Sequence, residues 1–261
     1  HLTNADIYKD PYLALALMPV SSKEDIIAGY DQIVLSTADK QYPLKTSGTT
    51  GKALKLVKTK RDFAAQWAVW MRHRERFGVE LGDVSVNFTG KSVVPVNQKT
   101  PPFWRYNAAQ KQYLISMQHI NAANIAPIFA FLNSIKPKFY SGYPSIIAEV
   151  SRLAVEAKLR LDSSAKPSLT FCGAENVLAY QKDIIEEWTG SLVTDQYGLS
   201  EGNCNFSRCE HGHYHEDFEF SHLEIAEPEY LDGGRIRGRL IGTSFFNVAF
   251  PLLRYDTGDI A

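Results

Sequence analysis

Between Lys60 and Phe77 the apolar residues Phe63, Trp67, Trp70, Met71 and Phe77 return on one helical stripe, and Gly78 closes the run. That stripe predicts a core-facing helix. Upstream, Ser21-Ser22 followed by Glu24 and Asp25 reads as a capped helix start reaching about Gly29. Residues 53–58 alternate and predict a strand, as does Val84-Ser85-Val86-Asn87-Phe88. Thr89 to Arg105, rich in Gly, Pro and polar residues, predicts a long irregular excursion. Its Pro102-Phe103-Trp104 suits either a pocket wall or a pin for the loop. Helical periods then alternate with short strands. Helices are predicted over Asn124–Ile135, Pro144–Leu159 and Leu178–Trp188, and strands over Lys138–Gly142, Leu169–Cys172 and Leu192–Thr194. Strands separated by helices of this length imply βαβ units. The predicted fold is α/β, with mostly parallel sheets layered with helices. After about Gly202 the pattern changes to short alternating runs, Phe218–Ile225, Gly234–Ile241 and Phe250–Tyr255. These predict a smaller antiparallel β subdomain, dividing the chain into 1–201 and 202–261.

A length of 261 residues allows one large domain or two modest ones. The formal net charge of −1 provides no global basic field for nucleic acid or anionic membrane. Basic runs such as Lys58-Thr59-Lys60-Arg61 read as solvated surface. No apolar run approaches the ~20 residues of a spanning helix. The start is no signal peptide and lacks Met, which reads as a fragment. Three cysteines make no disulfide framework, so a reducing cytoplasm is expected.

The chemistry gathers in a few places. Thr46-Ser47-Gly48-Thr49-Thr50-Gly51-Lys52 holds hydroxyls, permissive glycines and a cation, with nothing apolar. Such a run serves as a solvated turn or as a concave anion site built of backbone N–H groups. It is not a P-loop, in which four residues separate the glycines and Ser or Thr follows Lys. Three predicted strands end in small or polar residues: Gly142-Tyr143-Pro144, Cys172-Gly173-Ala174-Glu175 and Asp195-Gln196-Tyr197-Gly198-Leu199-Ser200-Glu201. Ligands of open α/β sheets gather at such carboxyl ends. Arg254-Tyr255-Asp256-Thr257-Gly258-Asp259 is an acidic turn that could accept ribose hydroxyl protons.

In order and approximate spacing, Thr46–Lys52, Asp195–Glu201 and Tyr255–Asp259 resemble the three signature segments of adenylate-forming enzymes. Lys91, Pro102-Phe103-Trp104-Arg105, Gly142-Tyr143-Pro144-Ser145 and Pro251-Leu252-Leu253-Arg254-Tyr255 look like the phenylacetate–CoA ligase branch and its capsule-locus members. The resemblance covers nearly the whole chain and implies ATP-dependent activation of a carboxylic acid, with an aryl acid expected, then transfer to CoA. It implies that Thr46, Ser47, Gly48, Thr49, Thr50, Gly51 and Lys52 grip the β- and γ-phosphates. Gly173, Ala174 and Glu175 would run along adenine and ribose. Asp195 would meet the adenine amino group, Tyr197 would stack on the ring beside Gly198, and Asp259 would take the ribose hydroxyls. Ser200 would contact the α-phosphate and Glu201 would hold Mg²⁺. Phe88, Trp104, Tyr143, Phe171 and Gly198 would line the acyl slot. In this family a small C-terminal domain carrying the lysine that drives adenylation follows, and it is expected to lie beyond Ala261, which leaves this stretch alone little activity. A homodimer is the candidate assembly.

Cys204, Cys209, His211 and His215 supply two thiolates and two imidazoles within twelve residues, enough for a structural Zn²⁺, with His213 able to replace either histidine. The spacing fits no standard finger, and a polar loop with buried thiols is the other reading. Two other functions compete with the ligase: adenylyl transfer to a hydroxyl of a coenzyme or small molecule, and a non-catalytic nucleotide- or metal-binding module.

Overall fold

A computed structural model of the chain describes residues 3–46 and 53–261. In chain order its helices and strands begin with α1 (Asn4–Lys9), α2 (Pro11–Ala16), α3 (Lys23–Ala28), α4 (Tyr30–Ile33), β1 (Tyr42–Lys45), β2 (Lys55–Lys58) and α5 (Lys60–Glu75). There follow β3 (Ser85–Phe88), β4 (Trp104–Asn107), β5 (Gln112–Ile115), α6 (Ile125–Ile135), β6 (Phe139–Gly142), α7 (Pro144–Glu156), β7 (Leu169–Cys172), α8 (Ala179–Thr189) and β8 (Leu192–Gly198). The chain closes with β9 (Asn205–Arg208), β10 (Tyr214–Glu216), β11 (Ser221–Tyr230), β12 (Ile236–Ser244) and β13 (Tyr255–Ile260).

Two compact units result: His1–Trp70 with Gly198–Phe206 and Glu216–Ala261, and Met71–Tyr197 with Ser207–His215. In the first unit one core joins distant stretches of chain: Leu54, Leu56 and Val57 on and beside β2 pack with Phe250, Leu252 and Tyr255 and with Ile26 of α3. The C-terminal residues therefore fold onto the N-terminal ones.

In the first unit β1 and β2 form an antiparallel pair, and β11-β12-β13 form the expected small antiparallel sheet. Ser22 and Asp25 cap α3 reciprocally, the Asp25 N–H donating to Ser22 Oγ at 3.1 Å and the Ser22 N–H to Asp25 Oδ2 at 2.8 Å. Arg254 ties this unit together. Its guanidinium donates from Nε (2.9 Å) and Nη2 (2.8 Å) to Glu224 on β11, and from Nη1 to the carbonyls of Ala16 (2.8 Å) and Met18 (2.5 Å). Arg254→Met should cost about 2 kcal/mol, since bonds from a charged donor are worth ~1.5–3 kcal/mol. Thermal unfolding checks this, and an unchanged melting curve would show the anchor to be redundant.

The second unit is built on an eight-stranded sheet of order β10-β9-β8-β7-β6-β3-β5-β4. Its β5, β3, β6, β7 and β8 run parallel, and β4 is antiparallel to β5. Helix α7 starts on Pro144, and α8 stops at Gly190 with φ +68°. Val86, Phe88, Tyr140, Cys172 and Val193 on one sheet face pack with Ile128 and Leu132 of α6, Ile147 and Val150 of α7, and Ile185 and Trp188 of α8. Phe139, Leu169 and Phe171 form a second core on the other face with Val79 and Phe77.

Helix α5 departs from its predicted face. Its buried residues are Asp62, Gln66, Val69 and His73, whereas Trp67 is 37% exposed. The aromatic stripe lies beside the inner face, and the inner face is largely polar. Such burial requires partners, and those partners lie in the site. Among the described residues no helix is long and apolar enough to cross a membrane.

Candidate functional site

In the second unit the strand register places Ile115, Phe88, Gly142, Cys172 and Asp195 level across adjacent strands. All five sit at the carboxyl edge of the sheet, as the sequence predicted for the last three. Gly142 has φ +144°, and a Cβ there would meet the Phe88 carbonyl oxygen at 2.4 Å. Only glycine lets the two chains approach so closely. The carbonyl of Gly142 then accepts the Gly173 N–H at 3.1 Å, so the turns after β6 and β7 are joined. Nothing stands within 4 Å of a Cβ built on Gly173, and Ala174 beside it is left-handed at φ +66°. The Glu175 carboxylate accepts the Ser145 N–H at 3.3 Å, in the first turn of α7, where an anion is favoured.

Asp195 is buried, and both of its carboxylate oxygens have partners. Arg208 Nη1 donates to one at 3.2 Å, and the Tyr214 hydroxyl donates to the other. Burial, then this bond, pushes the Tyr214 phenol above its usual range. The acid is fixed in place, with only its remaining lone pairs open to a ligand. Burial also pushes the Cys172 thiol up to about 12, helped by Asp195 and Glu175. Cys204 is likewise pushed up by burial, while Cys209 is half-buried. Burial therefore keeps Cys172 as the thiol at pH 8. A disulfide reagent at that pH should therefore modify Cys209 quickly and the other two only on unfolding, and three fast thiols would contradict the burial.

Of the residues expected to line an acyl slot, Phe88 is fully buried against Tyr140 (5.2 Å between centroids). Phe171 is buried on the opposite face, against His73 (4.9 Å) and under the Arg74 guanidinium (4.8 Å). Neither ring offers a surface to a ligand, because alternation along a strand sends neighbouring side chains to opposite faces. Trp104 stacks on Phe131 at 3.8 Å, and a Cβ on Gly90 would meet the Tyr143 ring at 3.0 Å.

In the first unit β8 ends at Gly198, where a Cβ would meet Asn205 Oδ1 at 2.8 Å. A turn follows. The Gly202 N–H, at φ +74°, donates to the Leu199 carbonyl at 3.1 Å. Ser200 is exposed and Glu201 half-buried. Burial pushes the Glu201 carboxyl up; Lys58 and Lys23 draw it back, and Asp259 adds to the rise. Asp259 is exposed near the end of β13, where its N–H donates to Thr257 Oγ1 at 3.1 Å. Thr46 pairs with Leu54, its N–H donating to the Leu54 carbonyl at 2.9 Å and its Oγ1 accepting the Leu54 N–H at 3.0 Å. Ser47, Gly48, Thr49, Thr50, Gly51 and Lys52 lie outside the described residues.

Several site residues escape the sequence. Lys58, read as solvated surface, is 2% exposed and hydrogen-bonds Gln66 on α5. The signal was available: Thr59-x-x-Asp62 is a capping pair, and Asp62 Oδ2 accepts the Thr59 N–H at 2.6 Å. A helix starting there turns the residue before it inward. Arg208 and Tyr214 carry no local signal at all.

The zinc expectation is corrected. Among the described residues no three His, Cys, Asp or Glu side chains come together to hold a metal. The segment folds as the β9–β10 hairpin, closed by the Cys209 N–H on the His213 carbonyl at 2.9 Å. Strand β9 separates Cys204 from Cys209 by about 16 Å at ~3.3 Å per residue. His211 and His215 are exposed.

The fold is shared with acyl-CoA ligases of known structure. It aligns with 2-hydroxyisobutyryl-CoA ligase, solved in an open conformation with 2-HIB-AMP and CoA, at a TM-score of 0.68 and 17% identity, over 93% of this chain and 58% of that one. With the anthranilate CoA ligase AuaEII, solved with anthranoyl-AMP, the TM-score is 0.51 and the identity 14%, over 78% and 39%. In sequence the chain is related to Protein CapK of Staphylococcus aureus, 29% identical over 242 residues, which are 93% of this chain and 52% of CapK. No family model matches. The chain spans about half the length of these relatives.

Proposed function

We propose that this chain is the nucleotide- and acid-binding part of an AMP-forming carboxylate–CoA ligase. The observation that carries the reading is that Asn203, two residues after Glu201, donates to the Gly242 carbonyl at 3.5 Å while Gly242 pairs with Tyr255 between β12 and β13. It brings two of the three signature segments together within one unit. The solved relatives support it, since their complexes hold an acyl-adenylate.

In the first step an oxygen of the acid attacks the α-phosphorus of ATP. The bond from that phosphorus to the β-bridging oxygen breaks, and pyrophosphate leaves. In the second step the CoA sulfur attacks the acyl carbon, giving up its proton, and AMP leaves. Catalysis of this kind rests on positioning and on charge stabilisation. Thr46–Lys52 would hold the leaving pyrophosphate, and Gly173, Ala174, Glu175, Asp195 and Tyr197 the adenosine. Ser200, exposed, would meet the α-phosphate, and Asp259 the ribose. With Phe88 and Phe171 committed to the cores, Trp104, Tyr143 and Gly198 remain to face the acid, for which we propose an aryl ring.

Mg²⁺ fits Glu201. The carboxylate is half-buried and its pKa is raised, an environment that gains from a hard cation. One protein carboxylate plus substrate phosphates is the usual Mg²⁺ set. When bound, the ion would draw charge from the phosphates. Three free thiols suit the reducing cytoplasm proposed for the protein.

Product analysis tests the assignment. The whole protein, given ATP, Mg²⁺, CoA and a panel of aryl, fatty and amino acids, should release AMP and an acyl-CoA with at least one acid. AMP joined to a hydroxyl of an acceptor would indicate an adenylyltransferase instead, and ATP binding without product a binding module.

A further inference from the structure

The end of β2 and the buried face of α5 carry two groups that the proposed chemistry does not use. Lys58 is 2% exposed and Gln66 is 8% exposed. An almost fully buried lysine is rare unless something pairs with it. The Lys58 ammonium donates to Gln66 Oε1 at 3.2 Å, and the Gln66 amide donates onward to the Leu199 carbonyl at 3.4 Å. The same carbonyl accepts the Gly202 N–H that closes the turn. A Cβ on Gly202 would lie 3.2 Å from the ammonium, so the lysine packs directly under that glycine. Burial draws the Lys58 ammonium down, while Asp62 and Glu201 oppose the shift.

From this geometry we propose that Lys58 and Gln66 form a buried brace that positions the turn Leu199–Gly202, and with it Ser200 and Glu201. They are positioning residues: neither touches substrate, and both act through the Leu199 carbonyl and the Gly202 backbone. The brace rests on the proposed role of Glu201 as the residue that meets the metal–nucleotide complex. The competing account is that Lys58 only balances Asp62, which caps α5 through Thr59 with bonds of 2.6 and 2.9 Å. The two accounts part at Gln66. It lies between Lys58 and the turn, and it has no bond to Asp62.

The test uses the whole protein and a readout other than turnover. Mn²⁺ binding in the presence of ATP is followed by electron paramagnetic resonance, and amide hydrogen exchange is followed over residues 199–202. Gln66→Met removes the bridge without changing charge, and should weaken Mn²⁺ binding about fivefold or more and speed exchange of the Gly202 amide. Lys58→Met should do the same. The double variant should be no worse than Lys58→Met alone, because the two residues act in series. Lys58→Arg should retain binding within about twofold. Should Lys58→Met fail to fold, Gln66→Met alone decides. Wild-type Mn²⁺ affinity and wild-type exchange in Gln66→Met overturn the brace, whatever the melting temperatures. A wild type that binds no Mn²⁺–ATP overturns the functional reading, and the brace with it.

Discussion

Glu201→Gln should lower acid-dependent ATP–pyrophosphate exchange by about a hundredfold or more, the scale on which removing one charge-stabilising group acts. The fold should not weaken with it. Burial raises the Glu201 pKa. A raised acid contributes stability that is present below its unfolded value and is lost as pH rises through its folded value. Ionising this half-buried carboxylate therefore costs the wild type stability as pH rises, and glutamine carries no such cost. Glu201→Gln should melt at or above the wild type at pH 7, with the difference vanishing below about pH 4. A parallel loss of melting temperature and activity would show Glu201 to be structural.

Gly142→Ala should destabilise the second unit by about 3 kcal/mol or more. A left-handed conformation costs a residue with a side chain ~1–3 kcal/mol. Here the new methyl also falls 2.4 Å from the Phe88 carbonyl oxygen, on backbone that cannot swing aside. Strands β3 and β6 would have to part at their carboxyl ends, where Gly142 also accepts the Gly173 N–H. Denaturant unfolding measures the loss. A change under about 1 kcal/mol would mean that the close approach is not maintained in solution.

The sequence carried the βαβ alternation because each element had its own marker: Pro144 opening α7, Gly190 closing α8, and apolar runs at Leu169–Cys172. It carried the sheet edge for a similar reason, since Gly142 and Cys172 stand where strands stop. Strands β4 and β5 were lost. Each run, Trp104–Asn107 and Gln112–Ile115, is only four residues long, and the two pair with each other while β5 also pairs with β3. Helix α5 misled because hydropathy ranks Trp67 as interior and Gln66 as exterior. Partners on the Leu199 turn and at Lys58 reverse that order, and no window of local sequence contains them. Cys204 and Cys209 misled for the opposite reason. Their spacing is compact on paper, but a strand between them keeps them apart. Strand alternation places Phe88 and Phe171 in cores on opposite faces of the sheet, which the residue types alone do not reveal.

Exchange of labelled pyrophosphate into ATP, measured on the whole protein with and without each acid of the panel, bears most directly on the central claim. Acid-dependent exchange, lost in Glu201→Gln, is the predicted result. Tight ATP binding with no exchange for any acid would contradict the assignment of this fold to acid activation.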